Sequence, residues 1–276
     1  MSVGSLKFYG TRGSLPVCNP SFQEFGGDTT CIAIHRKIND KISIFDAGTG
    51  IRELGRNIIK NFPDQEDLFL AFSHFHWDHI QGFPFFEPAY NPDLFINFLV
   101  IGENRKFTNL REIFAMQMQE VYFPVVLDNM GATFKFLLHE ENIVVINDAI
   151  IKTIRQNHPG GSYGYRIDVE GRVIVICTDL EHGDDINEDI VAFAKDADLL
   201  VHEAQYTTEE LKTHKGWGHS SYDQAMEVAE RANVKQLVMT HHDPDHDDEF
   251  LTKIEKECQD RFKDCTLARV GMQFEF

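Results

Sequence analysis

The sequence predicts an α/β fold of layered strands and helices, on three observations. Five short apolar runs each end on a His, Asp or Glu: 42–45 on Asp46, 68–72 on a histidine cluster, 173–177 on Asp179, 199–201 on His202 and Glu203, and 237–239 on His241 and His242. Runs this short and apolar read as buried strands. Stretches between them place apolar residues at helical spacing, and in layered α/β sheets ligand sites gather at the carboxyl ends of strands. No Pro/Gly/Ser linker, low-complexity tract or charge block divides the 276 residues, so 1–276 is expected to be one domain.

In chain order, 6–9 is a short strand followed by Gly10-Thr11-Arg12-Gly13-Ser14. That segment could offer amides and a guanidinium to a phosphate, or could be a tight turn whose glycines need positive φ. Gly26-Gly27-Asp28-Thr29-Thr30, before a strand at 31–35, carries the same two readings. A helix over about 51–61 follows Asp46. The run 68–72 then delivers Ser73-His74-Phe75-His76-Trp77-Asp78-His79. His74 and His76, two apart on extended chain, point to the same side. Asp78 and His79 are expected in the turn before a short apolar helix at 80–86. One metal could take the alternate histidines and a second the Asp-His pair. Imidazole and carboxylate suit zinc, manganese or ferrous iron, and the lack of thiolate argues against a closed structural zinc.

A helical face of Leu110, Ile113, Phe114, Gln117 and Val121 predicts a helix over about 106–122. His158 stands in Asn157-His158-Pro159-Gly160-Gly161 after a strand at 150–154, at a corner facing the same rim. Residues 162–177 read as a hairpin turning at Glu170-Gly171. Ser220 or Ser221 caps a helix lined by Ala225, Val228, Ala229 and Ala232. Phe250, Ile254 and Cys258 mark the last helix, entered through the acidic run 243–249, and a final strand lies near 266–276.

A formal charge of −18 argues against a large nucleic-acid partner, because such binding draws its affinity from Lys and Arg on phosphates. A small anionic substrate held by metals stays compatible. The five cysteines are scattered, odd in number and without a CxxC, so they read as reduced thiols. No apolar leader or membrane-length run is present, and a cytoplasmic protein is expected.

His74-x-His76-x-Asp78-His79, then His158, Asp179 and His241 in that order, resemble the metallo-β-lactamase fold from about Leu6 to the last strand. His202-Glu203-Ala204 and Gly218-His219-Ser220, the latter expected to open a helix, point to its ribonuclease Z branch. Gly10-Thr11-Arg12-Gly13-Ser14-Leu15-Pro16 and Thr178-Asp179-Leu180-Glu181-His182 look like the bacterial cyclic phosphodiesterases grouped there. The resemblance implies an αββα four-layer sandwich with two divalent metal ions, zinc first and manganese or iron as alternatives. His74, His76 and His158 would hold one; Asp78, His79 and His241 the other; Asp179 would bridge. A hydroxide between the metals would be the nucleophile, so Asp78 counts among the catalytic residues as well. Asp46 would orient a ligand, and His219, with its tautomer held by Glu203, would protonate the leaving oxygen. His202, His182 and His242 receive no role.

Bacterial ribonuclease Z carries a long substrate-gripping arm between the positions of His158 and Asp179; here a hairpin fills that interval. The first expectation is therefore a phosphodiesterase acting on a small phosphodiester, a 3′,5′-cyclic nucleotide. Alternatives are a cyclic ribose-phosphate phosphodiesterase, an arm-less ribonuclease, or a non-catalytic nucleotide-binding module. Of the many aromatics between Gly82 and Asn157 (Phe83, Phe85, Phe86, Tyr90, Phe107, Phe114, Tyr122, Phe123), most read as core or dimer interface and some could roof the site to stack a base; with the resemblance they suggest a homodimer.

Overall fold

The computed structural model describes residues 2–103, 109–146 and 148–276. The first half of the chain supplies β1 (Gly4–Gly10), β2 (Cys31–Arg36), β3 (Lys41–Phe45), α1 (Ile51–Asn61), β4 (Asp67–Ala71), α2 (Trp77–Ile80), β5 (Phe95–Ile101), α3 (Leu110–Gln117) and β6 (Thr133–His139). The second supplies β7 (Ile143–Ile146), β8 (Ala149–Gln156), β9 (Ser162–Val169), β10 (Arg172–Cys177), α4 (Glu188–Ala194), β11 (Leu199–Glu203), α5 (Thr208–Leu211), α6 (Tyr222–Arg231), β12 (Leu237–Thr240), α7 (Asp248–Arg261), β13 (Cys265–Leu267) and β14 (Gln273–Glu275).

Strand alternation builds the layers. In β1, Leu6 and Phe8 face the second sheet while Tyr9 faces α1; in β2, Ile32 and Ile34 turn inward while Cys31 and Ala33 turn outward. Both faces are buried, which is why these strands read as near-continuous apolar runs. One core lies between the sheets, joining Leu6, Phe8, Ile34 and Phe45 to Tyr165, Ile174, Ile176 and Val238. A second core packs α1 and α3 outside the first sheet, and a third packs α4, α6 and α7 outside the second. The result is the αββα sandwich.

The sheets run β14-β1-β2-β3-β4-β5-β6 and β13-β12-β11-β10-β9-β8-β7. β3 to β6 are parallel, as are β10 to β13. β1 and β8 each stand two antiparallel steps from that parallel set, so their carboxyl ends return to the same rim. Seven strand ends, those of β1, β3, β4, β8, β10, β11 and β12, thus deliver chemistry-bearing loops to one edge of the sandwich.

The structure corrects several boundaries. Asp78 and His79 lie inside α2, not in a turn before it, and the stretch to Phe86 continues as a separate 3-10 turn at Phe83–Phe85. α3 ends at Gln117, short of Tyr122; its expected start at 106–108, and Phe107, fall outside the described residues. The expected last strand is two strands, β13 in one sheet and β14 paired with β1 in the other. The expected helix face is shifted too, since α7 buries Leu251 with Ile254 and Cys258 while Phe250 is half-buried. The strands β5 to β7 and helices α4 and α5 carry no sequence expectation, although 94–101 is itself an apolar run. Among the described residues, no helix is long and apolar enough to cross a membrane.

Candidate active site

The strand end of β4 and the first turn of α2 place the compact half of the site. Asp46, one residue past β3 at φ 61°, is the anchor. Its carboxylate accepts the Ser73 amide and hydroxyl, each at 2.8 Å, and His79 Nδ1–H at 2.8 Å. The Ser73 oxygen in turn accepts His74 Nδ1–H at 3.0 Å. Both imidazoles are therefore turned with Nε2 inward. His74 and His76 do share a side, with ring centres 4.4 Å apart.

The dispersed half arrives from separate loops. His158, two residues past β8, donates Nδ1–H to the Gly218 carbonyl at 2.9 Å, leaving the Nε2 lone pair 3.0 Å from His76 Nδ1. Asp179 and His241, beyond β10 and β12, both sit at positive φ, 56° and 63°. Three site residues in this sparsely populated conformation, counting Asp46, mark backbone held in place by its surroundings. His241 donates Nδ1–H to Gln205 Oε1 at 3.1 Å. A Cβ at Gly13 would come within 2.3 Å of His241 Nδ1, so that close approach requires glycine.

These supports bring the predicted residues together. Donor atoms of His74, His76 and His158 lie within 4.8 Å of one another, as do those of Asp78, His79, Asp179 and His241. Asp179 stands between the sets. Its Oδ2 is 3.0 Å from His79 Nε2, while Oδ1 is 3.4 Å from His241 Nε2, 3.7 Å from His74 Nε2 and 3.8 Å from His158 Nε2. Asp78 Oδ2 lies 3.2 Å from His241 Nε2 and 3.3 Å from His79 Nε2, and accepts the Ser14 amide at 2.9 Å.

The arrangement fits divalent cations. His74 Nε2, His79 Nε2 and Asp179 Oδ2 are buried without a hydrogen-bond partner, a costly state for polar atoms converging on one point. Electrostatics agree. Burial and the neighbouring His79 hold the His74 pKa well below the usual histidine range. Burial opposes charge on His79, but Asp179, Asp78 and Asp46 outweigh it and raise its pKa. Burial likewise opposes charge on Asp179, yet His241, His79 and His74 hold its carboxyl well below the usual range. A His/Asp donor set of this kind suits zinc, manganese or iron.

His219 and Glu203 form the remaining cluster. His219 is expected at the start of a helix but lies in the loop before α6, whose cap is Ser221. Its Nδ1 is 3.6 Å from Glu203 Oε1, an ion-pair contact longer than a hydrogen bond, and its ring stacks on His241 at 5.0 Å. Burial disfavours its charge, but Glu203, then Asp179 and Asp78, raise its pKa. Glu203, within β11 and fully buried, accepts the amides of Leu180, Gln205 and Ser220 at 2.7–3.2 Å.

Two supports escape sequence reasoning. Gln205 ties His241 to Asp243 and Ser14 through its Nε2, at 3.1 and 3.4 Å. Glu181 accepts the amides of Gly216 and Gly218 at 2.8–2.9 Å, fixing the loop that supplies the Gly218 carbonyl to His158 and leads into His219. Gln205 adjoins Glu203-Ala204 and Glu181 follows Asp179 by two, but no spacing rule gives either a role. The phosphate reading of Arg12 is overturned: its guanidinium is buried and donates to the carbonyls of Gly26, Asp243 and His246. The turn reading needs amendment, since positive φ falls on Ser14 at 60° and not on Gly10 or Gly13. His242 is bound to the Ala268 carbonyl, and His182 and His202 stack together away from the donor sets.

Residues 43–242 match the Beta-lactamase superfamily domain. Ribonuclease Z of Picrophilus torridus is 24% identical over 313 aligned positions, which cover 99% of this chain and 96% of that one. Among solved structures, the metallo-β-lactamase fold protein YhfI from Bacillus subtilis has a TM-score of 0.74 at 17% identity over the whole of both chains. A diphosphatase from the PhnP family has a TM-score of 0.70 at 16% identity, over 99% of this chain and 98% of that one. Such identities between structures establish the fold alone. The family match and the His/Asp centre carry the further step: this chain belongs to the β-lactamase superfamily and is a metal-dependent hydrolase of the ribonuclease Z-like kind.

Proposed function

We propose that the chain is a dinuclear-metal phosphodiesterase whose substrate is a small phosphodiester, a 3′,5′-cyclic nucleotide. The observation that carries this reading is Asp179 standing between two histidine-rich donor sets, with the His219–Glu203 pair beside them. His74, His76 and His158 would hold one ion, Asp78, His79 and His241 the other, and Asp179 both. When bound, such ions lower the pKa of a water toward neutrality and neutralise charge on a phosphate. The chain's own residues do the rest. Asp46, Ser73, Gln205 and the Gly218 carbonyl fix His79, His74, His241 and His158, respectively, each with its free nitrogen toward the centre. His219, kept protonated to higher pH by Glu203, donates its proton to the departing oxygen.

Two features support a small substrate. The hairpin of β9 and β10 pairs through to Val169 and Arg172, where an arm would otherwise leave the fold. The charge of −18 offers little to a long polyanion. Ribonuclease Z relatives matching nearly the whole chain favour a second reading, cleavage of an RNA end. A homodimer has support in the exposed Met116, Val121 and Tyr122 near the end of α3, to be checked by light scattering. Turnover of purine and pyrimidine 3′,5′-cyclic nucleotides, against a precursor RNA with a 3′ trailer, separates the substrate readings. Linear monophosphate from the cyclic substrates alone supports the first; trimming of the RNA alone replaces it with the second.

A further inference from the structure

We propose that Trp217 is the platform on which the base of a nucleotide substrate stacks, so that the site prefers base-bearing phosphodiesters to base-free ones. The inference rests on the phosphodiesterase reading and names what lies beyond the phosphate. Trp217 precedes the acid His219 by two residues and is 60% exposed. A large indole left in water beside a reaction centre needs a reason.

Its backbone is held on both sides. The amides of Gly216 and Gly218 donate to the Glu181 carboxylate at 2.8–2.9 Å, and its own amide donates to the His214 carbonyl at 3.1 Å. A ladder of rings connects the acid to the indole. His219 meets Tyr206 edge-on at 6.0 Å, Tyr206 lies flat on His214 at 4.6 Å, and His214 meets Trp217 at 4.8 Å and 85°. That last contact is perpendicular, so among the described residues no ring contact supplies Trp217 with a parallel stacking partner. The indole is preorganised at modest entropic cost and still open.

Its place follows from His219. The group that leaves phosphorus is the one His219 protonates, so the sugar and base attached to that oxygen lie on the Trp217 side. Charge points the same way. Lys215, next along this loop, is paired with Asp184, and the acidic chain has little cationic surface to hold a nucleotide. Stacking on a neutral ring supplies affinity that does not depend on such charge.

The chain has only two tryptophans, Trp77 and Trp217, which makes a direct test possible. The metal-loaded protein, Trp217→Ala and Trp217→Phe would be titrated with adenosine 5′-monophosphate while tryptophan fluorescence is followed. The same proteins would be assayed on 3′,5′-cyclic AMP and on a base-free cyclic ribose phosphate. We expect quenching in the wild type that is much smaller in Trp217→Phe, where Trp77 alone still reports. Trp217→Ala should raise KM for the cyclic nucleotide by about five- to hundredfold with kcat little changed, Trp217→Phe should recover most of that, and the base-free substrate should be unaffected. Equal quenching in wild type and Trp217→Phe, or equal effects on both substrates, overturns the platform while leaving the phosphodiesterase reading intact. If no diester is turned over, that reading fails, and the fluorescence titration alone still decides the role of Trp217.

Discussion

The two halves of the site are built in opposite ways. Between His74 and His79, four predicted ligands occupy one loop and one short helix, and a single carboxylate, Asp46, braces that segment through Ser73 and His79. His158, Asp179 and His241 instead come from three loops and have separate partners, the Gly218 carbonyl for His158 and Gln205 for His241. Neither half makes a complete donor set, because each set draws on both. A local motif can be carried as one piece, whereas the dispersed half exists only when the second sheet and its loops are folded. Loss of the shared brace Asp46 should therefore disturb several ligands at once, whereas loss of one support in the dispersed half should fall chiefly on the one ligand it holds.

The largest expected effect is at the point where the halves meet. Asp179→Ala should lower turnover by at least about 10³-fold, the scale of losing preorganised charge stabilisation, with a matching loss of bound metal. His219→Ala should cost roughly 10²- to 10⁴-fold in kcat and leave metal content unchanged. The loss should shrink on a p-nitrophenyl ester, whose leaving group needs no proton. Because the His219 pKa is raised above the ordinary histidine value of 6.5 in the folded protein, activity should fall as pH rises through that raised pKa. Glu203→Gln should move this alkaline limb to lower pH.

Supports come next. Asp46→Asn should weaken metal binding by about 10–100-fold, measured by competition with a chromophoric chelator. Gln205→Ala should weaken it less, acting on the single ligand His241, although its ties to Ser14 and Asp243 spread the disturbance.

The smallest effect is on stability. Burial, aided by His202, lowers the His182 pKa to about 3, so the unfolded chain takes up a proton near pH 6.5 that the folded chain refuses. Its contribution is present in full above pH 6.5 and declines as pH falls toward 3, by at most about 1.4 kcal/mol per unit. His182→Gln should flatten the dependence of the urea midpoint on pH between 6.5 and 5; an unchanged slope would remove His182 from the account.

The same contrast explains what the sequence disclosed. The compact motif is visible as spacing, and of the proposed dispersed ligands Asp179 and His241 are visible because each follows a buried apolar run, whose polar end is conspicuous. His158 follows no such long run and gains weight from the need for ligands already established. Glu181 and Gln205 were not legible, since an acid or amide bonded to backbone or to a single ring has no period and no motif. The Gly10–Ser14 segment misled for the same reason. An arginine between glycines looks available for a phosphate, and only the fold shows three carbonyls closing around its guanidinium. Of the aromatics after Gly82, Phe83, Phe86 and Phe114 take the core reading, packed with Phe98 outside the first sheet.

Metal stoichiometry tests the central claim most directly. The purified protein, Asp179→Ala and His76→Ala would be equilibrated with zinc or manganese, desalted, and analysed for metal per chain by mass spectrometry. Two ions in the wild type, about one in His76→Ala and at most one in Asp179→Ala would establish one dinuclear centre assembled from both halves. One ion in the wild type, or two retained by Asp179→Ala, would contradict it.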